Sequence, residues 1–113
     1  MKLSQFESDV MNAIIKGNSE EDILRIQLAS AEVAKRDYTG VGLYVDFNIT
    51  ETVPTLSNED RHIDAFPNLA LQHPDLEACA GAILWISNGK ISTLELYTFD
   101  GDWPEDETLF KII

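Results

Sequence analysis

Apolar residues near the start of the chain recur every three or four positions, the spacing of one face of an α-helix. The recurring residues are Phe6, Val10, Ala13 and Ile14. Ser4 stands three residues before Glu7, which is capping-box spacing for a helix N-terminus. Gly17 follows the apolar stripe and favours a helix end, because glycine tolerates the left-handed backbone. The pattern predicts an amphipathic helix of about three turns.

A second helix is predicted to begin at Ser19, because Asp22 follows three residues later and acidic side chains suit a helix N-terminus. Its end is open to two interpretations. Helix propensity favours a helix that runs to Arg36. The alternative is a short helix to Leu28, followed by a strand through Val33. We favour the short helix, because the sheet pattern that follows needs a neighbouring strand.

Residues 41–48 alternate between apolar and other side chains, which predicts a strand with one buried face. The apolar positions are Val41, Leu43, Val45 and Phe47. Prolines punctuate residues 50–77, which are predicted to be a loop with a short strand at 69–72. The apolar residues 109–113 predict a short C-terminal strand or tail.

The dipeptide Asn88-Gly89 separates two β-prone runs and predicts a hairpin with a two-residue type I′ turn. The predicted cross-strand pairs are Ser87 with Lys90, Ile86 with Ile91, Leu84 with Thr93, and Ala82 with Glu95. One face would then hold Ile83, Trp85, Leu94 and Leu96, and the other Ile86, Leu84, Ile91, Thr93, Glu95 and Tyr97. Both faces are substantially apolar. The first helix covers one face, and the middle loop, a second helix or another molecule must cover the other.

These elements predict an α+β fold in a single domain that spans residues 1–113. One or two N-terminal helices pack on an antiparallel sheet of four or five strands, with the Asn88-Gly89 hairpin at its centre. The chain is 44% hydrophobic, which fits a globular protein and not a disordered one.

Charge is distributed unevenly along the chain. Residues 1–36 hold five basic and six acidic side chains, whereas residues 37–113 hold three basic and fourteen acidic ones. The densest acidic run comprises Glu95, Asp100, Asp102, Glu105, Asp106 and Glu107. Such a field disfavours nucleic acid and anionic membrane as partners and favours a basic protein or a cation.

Cys79 is the only cysteine and is expected to be a small buried hydrophobe. The chain shows neither a signal-peptide pattern nor an apolar stretch of membrane-spanning length, so a reduced, cytoplasmic location is expected. No cofactor is expected either. The acidic residues 100–107 lack the spacing of an EF-hand calcium loop, with Lys111 at the twelfth position. His62, His73 and one cysteine do not make a zinc set.

Glu95 is the one candidate for acid–base chemistry, since it lies in mid-strand, where partial burial would raise its pKa. A catalytic site would need a pocket that brings Glu95, Tyr97 and a histidine together. The simpler interpretation pairs Glu95 with a lysine or arginine on a neighbouring strand. We therefore expect no enzyme activity.

Two stretches resemble the motifs of a family of small bacterial proteins. Residues 35–44 resemble that family's R-E-x-T-G-x-G-F stretch. The second resemblance is to its C-terminal G-x-x-L-(F/W)-I…G…L-E…W-P signature and comprises residues 81–86, Gly89, Leu94-Glu95, Tyr97 and Trp103-Pro104. Proteins of this kind are similar to immunity proteins of bacterial toxin systems, including contact-dependent inhibition. The resemblance implies a class of function and no catalytic residue.

The expected function is an acidic binding module that neutralises a basic partner protein, such as a nuclease-type toxin domain. The acidic residues 100–107 would steer that partner, with Asp46 and Glu51 as contributors. Tyr97 and Trp103 are the candidate hydrophobic anchors, although Trp103 fits equally well as a lid over one end of the core. The alternatives are a homo-oligomeric structural protein, a homodimer for example, and a small-ligand binder or enzyme that uses Glu95.

Overall fold

Two α-helices pack on one side of a seven-stranded antiparallel sheet in the computed structural model, which describes residues 1–50, 52–57 and 60–113. The elements are α1 (Gln5–Ile15), α2 (Glu21–Ser30), β1 (Glu32–Tyr38), β2 (Gly42–Asn48), β3 (Arg61–Asp64), β4 (Leu71–Gln72), β5 (Ala80–Ser87), β6 (Lys90–Thr98) and β7 (Lys111–Ile112). The α+β class is confirmed. The sheet has more strands than the four or five expected, because β3 lies in a segment that its polar residues and prolines marked as loop.

The strand order β1-β2-β6-β5-β4-β7 places the β5–β6 hairpin at the centre of the sheet. β3 also pairs with β5, along the half that lies nearer the hairpin turn. The turn residues Asn88 and Gly89 both have positive φ, 53° and 74°, as a type I′ turn requires. The predicted hairpin turn and its central position are therefore present in the fold.

Of the two described helices, α1 begins with a side-chain cap and α2 does not. The predicted capping box of α1 is present, because the Glu7 backbone N–H donates to Ser4 Oγ and the Ser4 N–H donates to Glu7 Oε1. α2 begins one residue later than predicted, with Glu20 and not Ser19 at the N-cap. α2 ends at Ser30, two residues beyond the predicted end at Leu28, and β1 begins at Glu32, which confirms a short second helix followed by a strand.

The register of the hairpin changes at a β-bulge. Ser87 pairs with Lys90 and Ile86 with Ile91, as predicted, but Trp85 then pairs with Thr93, so that Ser92 is the extra residue. Beyond the bulge Leu84 pairs with Leu94 and Ile83 with Glu95. The predicted pairs of Leu84 with Thr93 and Ala82 with Glu95 are therefore wrong.

The bulge also overturns the predicted division of side chains between the two faces. Leu94 and Leu96 are buried on the same side as Leu84 and Ile86, where they join α1 and α2 in the core. Trp85 and Glu95 lie together on the opposite side, because a shift of one residue exchanges the faces of a strand. One face is therefore aliphatic and buried, and the other mixes aromatic and polar side chains.

The side chain of Gln27 connects α2 to the hairpin turn. Its Nε2 donates to the carbonyl oxygens of Pro54 and Gly89, at 2.9 and 3.0 Å, and its Oε1 accepts from the Ile91 N–H at 2.9 Å. Gln27 is fully buried. All three hydrogen bonds serve backbone groups, so this amide holds the turn end of the hairpin against the helix layer.

Candidate functional site: the open sheet face

The helices cover only one side of the sheet, and we call the other side the open sheet face. The strand register and the alternation of buried and exposed residues agree on which side chains lie on this face. Tyr44 and Trp85 are 40% and 39% exposed, values that are high for large aromatic residues. The central members of the open sheet face are Asp37, Tyr44, Asp46, His62, Asp64, Ile83, Trp85, Thr93, Glu95 and Tyr97.

Glu95 lies at the middle of this face, on β6 between β2 and β5. Its Oε1 accepts a hydrogen bond from Trp85 Nε1 at 3.0 Å, and its Oε2 accepts from the Tyr44 hydroxyl at 3.4 Å. The negative charge of Glu95 is the main reason that the pKa of Tyr44 lies above its ordinary value. Two aromatic donors on neighbouring strands thus hold one carboxylate in place.

Aromatic rings extend this site along the sheet. The His62 ring lies 4.9 Å from the Trp85 ring, and Tyr97 meets Phe99 edge-on at 5.4 Å. Tyr97 lies over Gly81, where an added Cβ would stand 2.5 Å from the tyrosine ring. The glycine therefore makes room for the ring, an arrangement that protects a glycine in a sheet. The result is a row of partly exposed rings along the central strands.

The charge on the open sheet face is mainly negative. It carries the carboxylates Asp37, Asp46, Asp64 and Glu95, with Lys35 and Lys90 at its margins. Burial raises the pKa of the Tyr97 hydroxyl, and the charges of Asp64 and Glu95 add to that effect. Tyr97 therefore remains a neutral hydroxyl, able to donate a hydrogen bond, at neutral pH.

Several carboxylates of the acidic run predicted as a docking surface accept hydrogen bonds from groups of the same chain. Asp100 Oδ1 accepts from the Ala78 N–H, and Asp106 Oδ1 accepts from the Thr108 N–H at 3.0 Å. Glu107 Oε2 accepts from Trp103 Nε1 at 2.8 Å. Asp102 and Glu105 are exposed.

Trp103 is buried and not an exposed anchor. It is only 9% exposed and packs against Phe6 of α1 and Phe110, with ring centroids 6.4 and 5.0 Å away. Trp103 was predicted to be either an interface anchor or a lid over one end of the core. Its burial fits the second role. Four of the eight residues predicted to bind a partner therefore lie on different sides of the sheet. Glu95 and Tyr97 are on the open sheet face, whereas Trp103 and Glu107 are on the helix side.

Sequence reasoning missed Trp85 and Tyr44 as neighbours of Glu95. The predicted hairpin register had no bulge, so it placed Trp85 on the same face as Leu94 and Leu96. It placed Glu95 on the face of Leu84 and Ile86. A signal was present, since a one-residue shift would group the aliphatic residues together and the amphipathic ones with Glu95. The small polar pair Ser92-Thr93 marks where that shift occurs.

A bidentate ion pair lies on the other side of the sheet. Glu7 is fully buried, and Arg36 donates to both of its oxygens at 2.7 Å. Burial raises the pKa of the Glu7 carboxyl, but hydrogen bonds from Arg36 and Ser4 and the charge of Arg36 outweigh it, so that this pKa lies below 4.5. This pair joins α1 to β1.

His62 shares the open sheet face with Glu95, but His73 does not. Asp75 N–H donates to His73 Nδ1 at 3.0 Å, and His73 Nε2 contacts the Asp106 carbonyl oxygen at 2.8 Å, so that both ring nitrogens are used. Cys79 is half-buried at a cleft beside His73, and not fully buried as expected. Within the described ranges, no cluster of three or more His, Cys, Asp or Glu residues is placed to hold a metal ion.

Comparison with protein-family models, with curated proteins and with solved structures gave no match. Among the residues that the structure describes, no helix is both long enough and apolar enough to cross a membrane. Glu51, expected to contribute to partner binding, lies outside the described residues.

Proposed function

We propose that this protein binds and neutralises a basic partner protein, as the immunity protein of a bacterial toxin system does. The observation that supports the proposal most is the open sheet face, where two exposed aromatic side chains donate hydrogen bonds to one carboxylate. Aromatic residues are enriched in the energetic centres of protein interfaces, because they bury much area at little entropic cost. The resemblance of residues 81–104 to proteins similar to immunity proteins points the same way.

The charge of the chain supports a basic partner. With a net charge of −12, the protein attracts cationic proteins over distances comparable with the Debye length, about 8 Å at physiological salt. Complementary charge mainly raises the association rate and excludes wrong partners. A toxin domain that acts on nucleic acid is basic because its substrate is acidic, so a nuclease-type domain fits this field. The same charge argues against nucleic acid or anionic membrane as the ligand.

A symmetric homodimer through the open sheet face is the main alternative. Self-association would bring the four carboxylates of one copy against those of the other, and like charges across an interface are unfavourable. The charge on this face therefore favours a different, basic molecule over a second copy. Sedimentation at micromolar concentration separates the two, since a monomer contradicts the homodimer.

The function is tested with the product of the gene immediately upstream. We expect that product to be a toxin with a basic domain, whereas a metabolic enzyme there would count against the proposal. The toxin domain is then expressed in cells with and without this chain, and growth is followed. We expect arrest with the toxin domain alone, rescue when this chain is present, and a purified one-to-one complex that weakens as salt rises. If growth stays arrested and no complex forms, the proposed function is wrong.

A further inference from the structure

We infer that the Glu95 carboxylate, held between Tyr44 and Trp85, receives an arginine side chain of the partner protein. This inference rests on the proposed function and names the chemical group that the open sheet face recognises. Four observations lead to it: how the carboxylate is held, what remains unsatisfied on it, where the chain's own arginines are, and what surrounds it.

The carboxylate is fixed in position before any partner arrives. Trp85 Nε1 and the Tyr44 hydroxyl each donate to a different oxygen of Glu95, at 3.0 and 3.4 Å. Both donors stand on neighbouring strands of the central sheet. A group that is already oriented loses less entropy on binding than a flexible surface carboxylate does.

Each oxygen of Glu95 keeps acceptor capacity. An ionised carboxylate has about four lone-pair sites, and the two aromatic donors fill two of them. In the described part of the chain, no lysine, arginine or histidine forms an ion pair with Glu95. One site on each oxygen is therefore left for a cation with two parallel donors.

The chain's own arginines are all engaged elsewhere. Arg25 pairs with Glu21, Arg36 with Glu7 and Arg61 with Glu20, and these are the only arginines in the sequence. A second copy of the protein would therefore bring no uncommitted arginine to Glu95. The guanidinium must come from a different molecule, in keeping with the basic partner that the charge of the face favours.

The surroundings of Glu95 favour arginine over lysine. The guanidinium is planar, reaches both oxygens of a carboxylate at once and stacks on aromatic rings. Trp85 and Tyr44 flank the carboxylate and are exposed enough to offer such rings. A lysine ammonium is more strongly hydrated and meets a carboxylate as a point charge, so it gains less from this arrangement.

Nuclear magnetic resonance tests the inference without the natural partner. The full chain, labelled with ¹⁵N, is titrated with three blocked tripeptides, Gly-X-Gly, in which X is arginine, lysine or citrulline. Citrulline keeps the shape of arginine without its charge. The observed signals are the two indole N–H groups. Trp85 donates to Glu95, and the buried Trp103, which donates to Glu107 on the helix side of the sheet, is the internal reference.

We expect the arginine peptide to shift the Trp85 signal saturably, the lysine peptide to bind several-fold more weakly, and the citrulline peptide to cause no shift. The Trp103 signal should not move. Glu95→Gln should weaken arginine binding about tenfold, the factor for loss of a charge-assisted hydrogen-bonded pair. Glu105→Gln, which removes the same charge from the exposed loop, should have little effect.

Equal shifts with arginine and citrulline, or unchanged binding in Glu95→Gln, would overturn the inference. If Glu95→Gln disturbs the fold, Tyr44→Phe replaces it, because it removes one donor and keeps the ring. Failure of the inference and failure of the proposed function remain distinguishable. If the chain rescues cells but the arginine peptide does not shift its Trp85 signal, only the inference fails. If arginine binds but no toxin complex forms, only the proposed function fails.

Discussion

Glu7 and Glu95 are two carboxylates on opposite sides of one sheet, and their surroundings differ in one decisive respect. Glu7 is fully buried and has its cation within the chain, because Arg36 binds both of its oxygens. Glu95 is partly exposed and held by two neutral aromatic donors, with no cation of the described chain beside it. The three arginines of the chain all form ion pairs within it, and none of them lies beside the central acid of the open sheet face.

The largest effect is expected from removal of the cation that neutralises Glu7. Arg36→Met leaves a buried carboxylate without its partner, which typically costs about 3–5 kcal/mol of the free energy of unfolding. Urea denaturation at pH 7 measures the loss. The matched control is Lys35→Met, on the exposed side of the same strand, which should change stability by less than about 0.5 kcal/mol. Similar losses in both variants would contradict the contrast between the two sides.

A smaller loss of stability is expected from a cavity on the helix side. Leu94 is fully buried, and Leu94→Ala should cost about 3 kcal/mol in a core of this kind. Ile83→Ala, at a half-buried position on the open sheet face, should cost less than about 1 kcal/mol. Thermal unfolding of the two variants compares them. The reverse order would mean that the register lacks the bulge at Ser92, since Leu94 would then share a face with Trp85.

The contribution of the Glu7–Arg36 pair to the free energy of unfolding should depend on pH. The pKa of Glu7 is lower in the folded chain than its ordinary value of 4.5. The unfolded chain therefore takes up the proton first as the pH falls, so that the pair's contribution is complete above pH 4.5 and is lost at lower pH. In Arg36→Met, burial still raises the pKa of the Glu7 carboxyl and only the hydrogen bonds from Ser4 oppose it, so that this pKa is higher than in the wild type. The stability difference between wild type and Arg36→Met should therefore shrink as the pH falls from 7 to 4, and a constant difference would contradict this.

Local pattern predicted most elements of the fold. Apolar periodicity and capping residues located α1, the Asn88-Gly89 dipeptide located the central hairpin, and alternation located β2. Each of these features depends on residues close together in sequence, where spacing alone determines which side chains meet. The end of α2 was also predictable, because the strand pattern after it needed a partner.

The candidate site was less predictable because it depends on pairings between distant residues. One extra residue, Ser92, moved Glu95 and Trp85 onto the same face, and Glu95 meets Tyr44 across 51 residues of sequence. Arg36 and Glu7 are 29 residues apart and neither position signals the other in the sequence. Charge count found the acidic run of residues 100–107, but could not tell that Asp100, Asp106 and Glu107 are used as hydrogen-bond acceptors within the chain.

The central claim is that the open sheet face, and not the acidic loop, makes the contact with a basic partner. Charge reversal tests it most directly. Immobilised Glu95→Lys and Glu105→Lys, at equal loading, are compared in their capture of the toxin domain that we expect the upstream gene to encode. Both variants change the net charge equally, so long-range attraction falls by the same amount in each. The account predicts that Glu95→Lys keeps its thermal unfolding temperature and loses the complex, whereas Glu105→Lys keeps both. Capture by Glu95→Lys together with loss of capture by Glu105→Lys would contradict it.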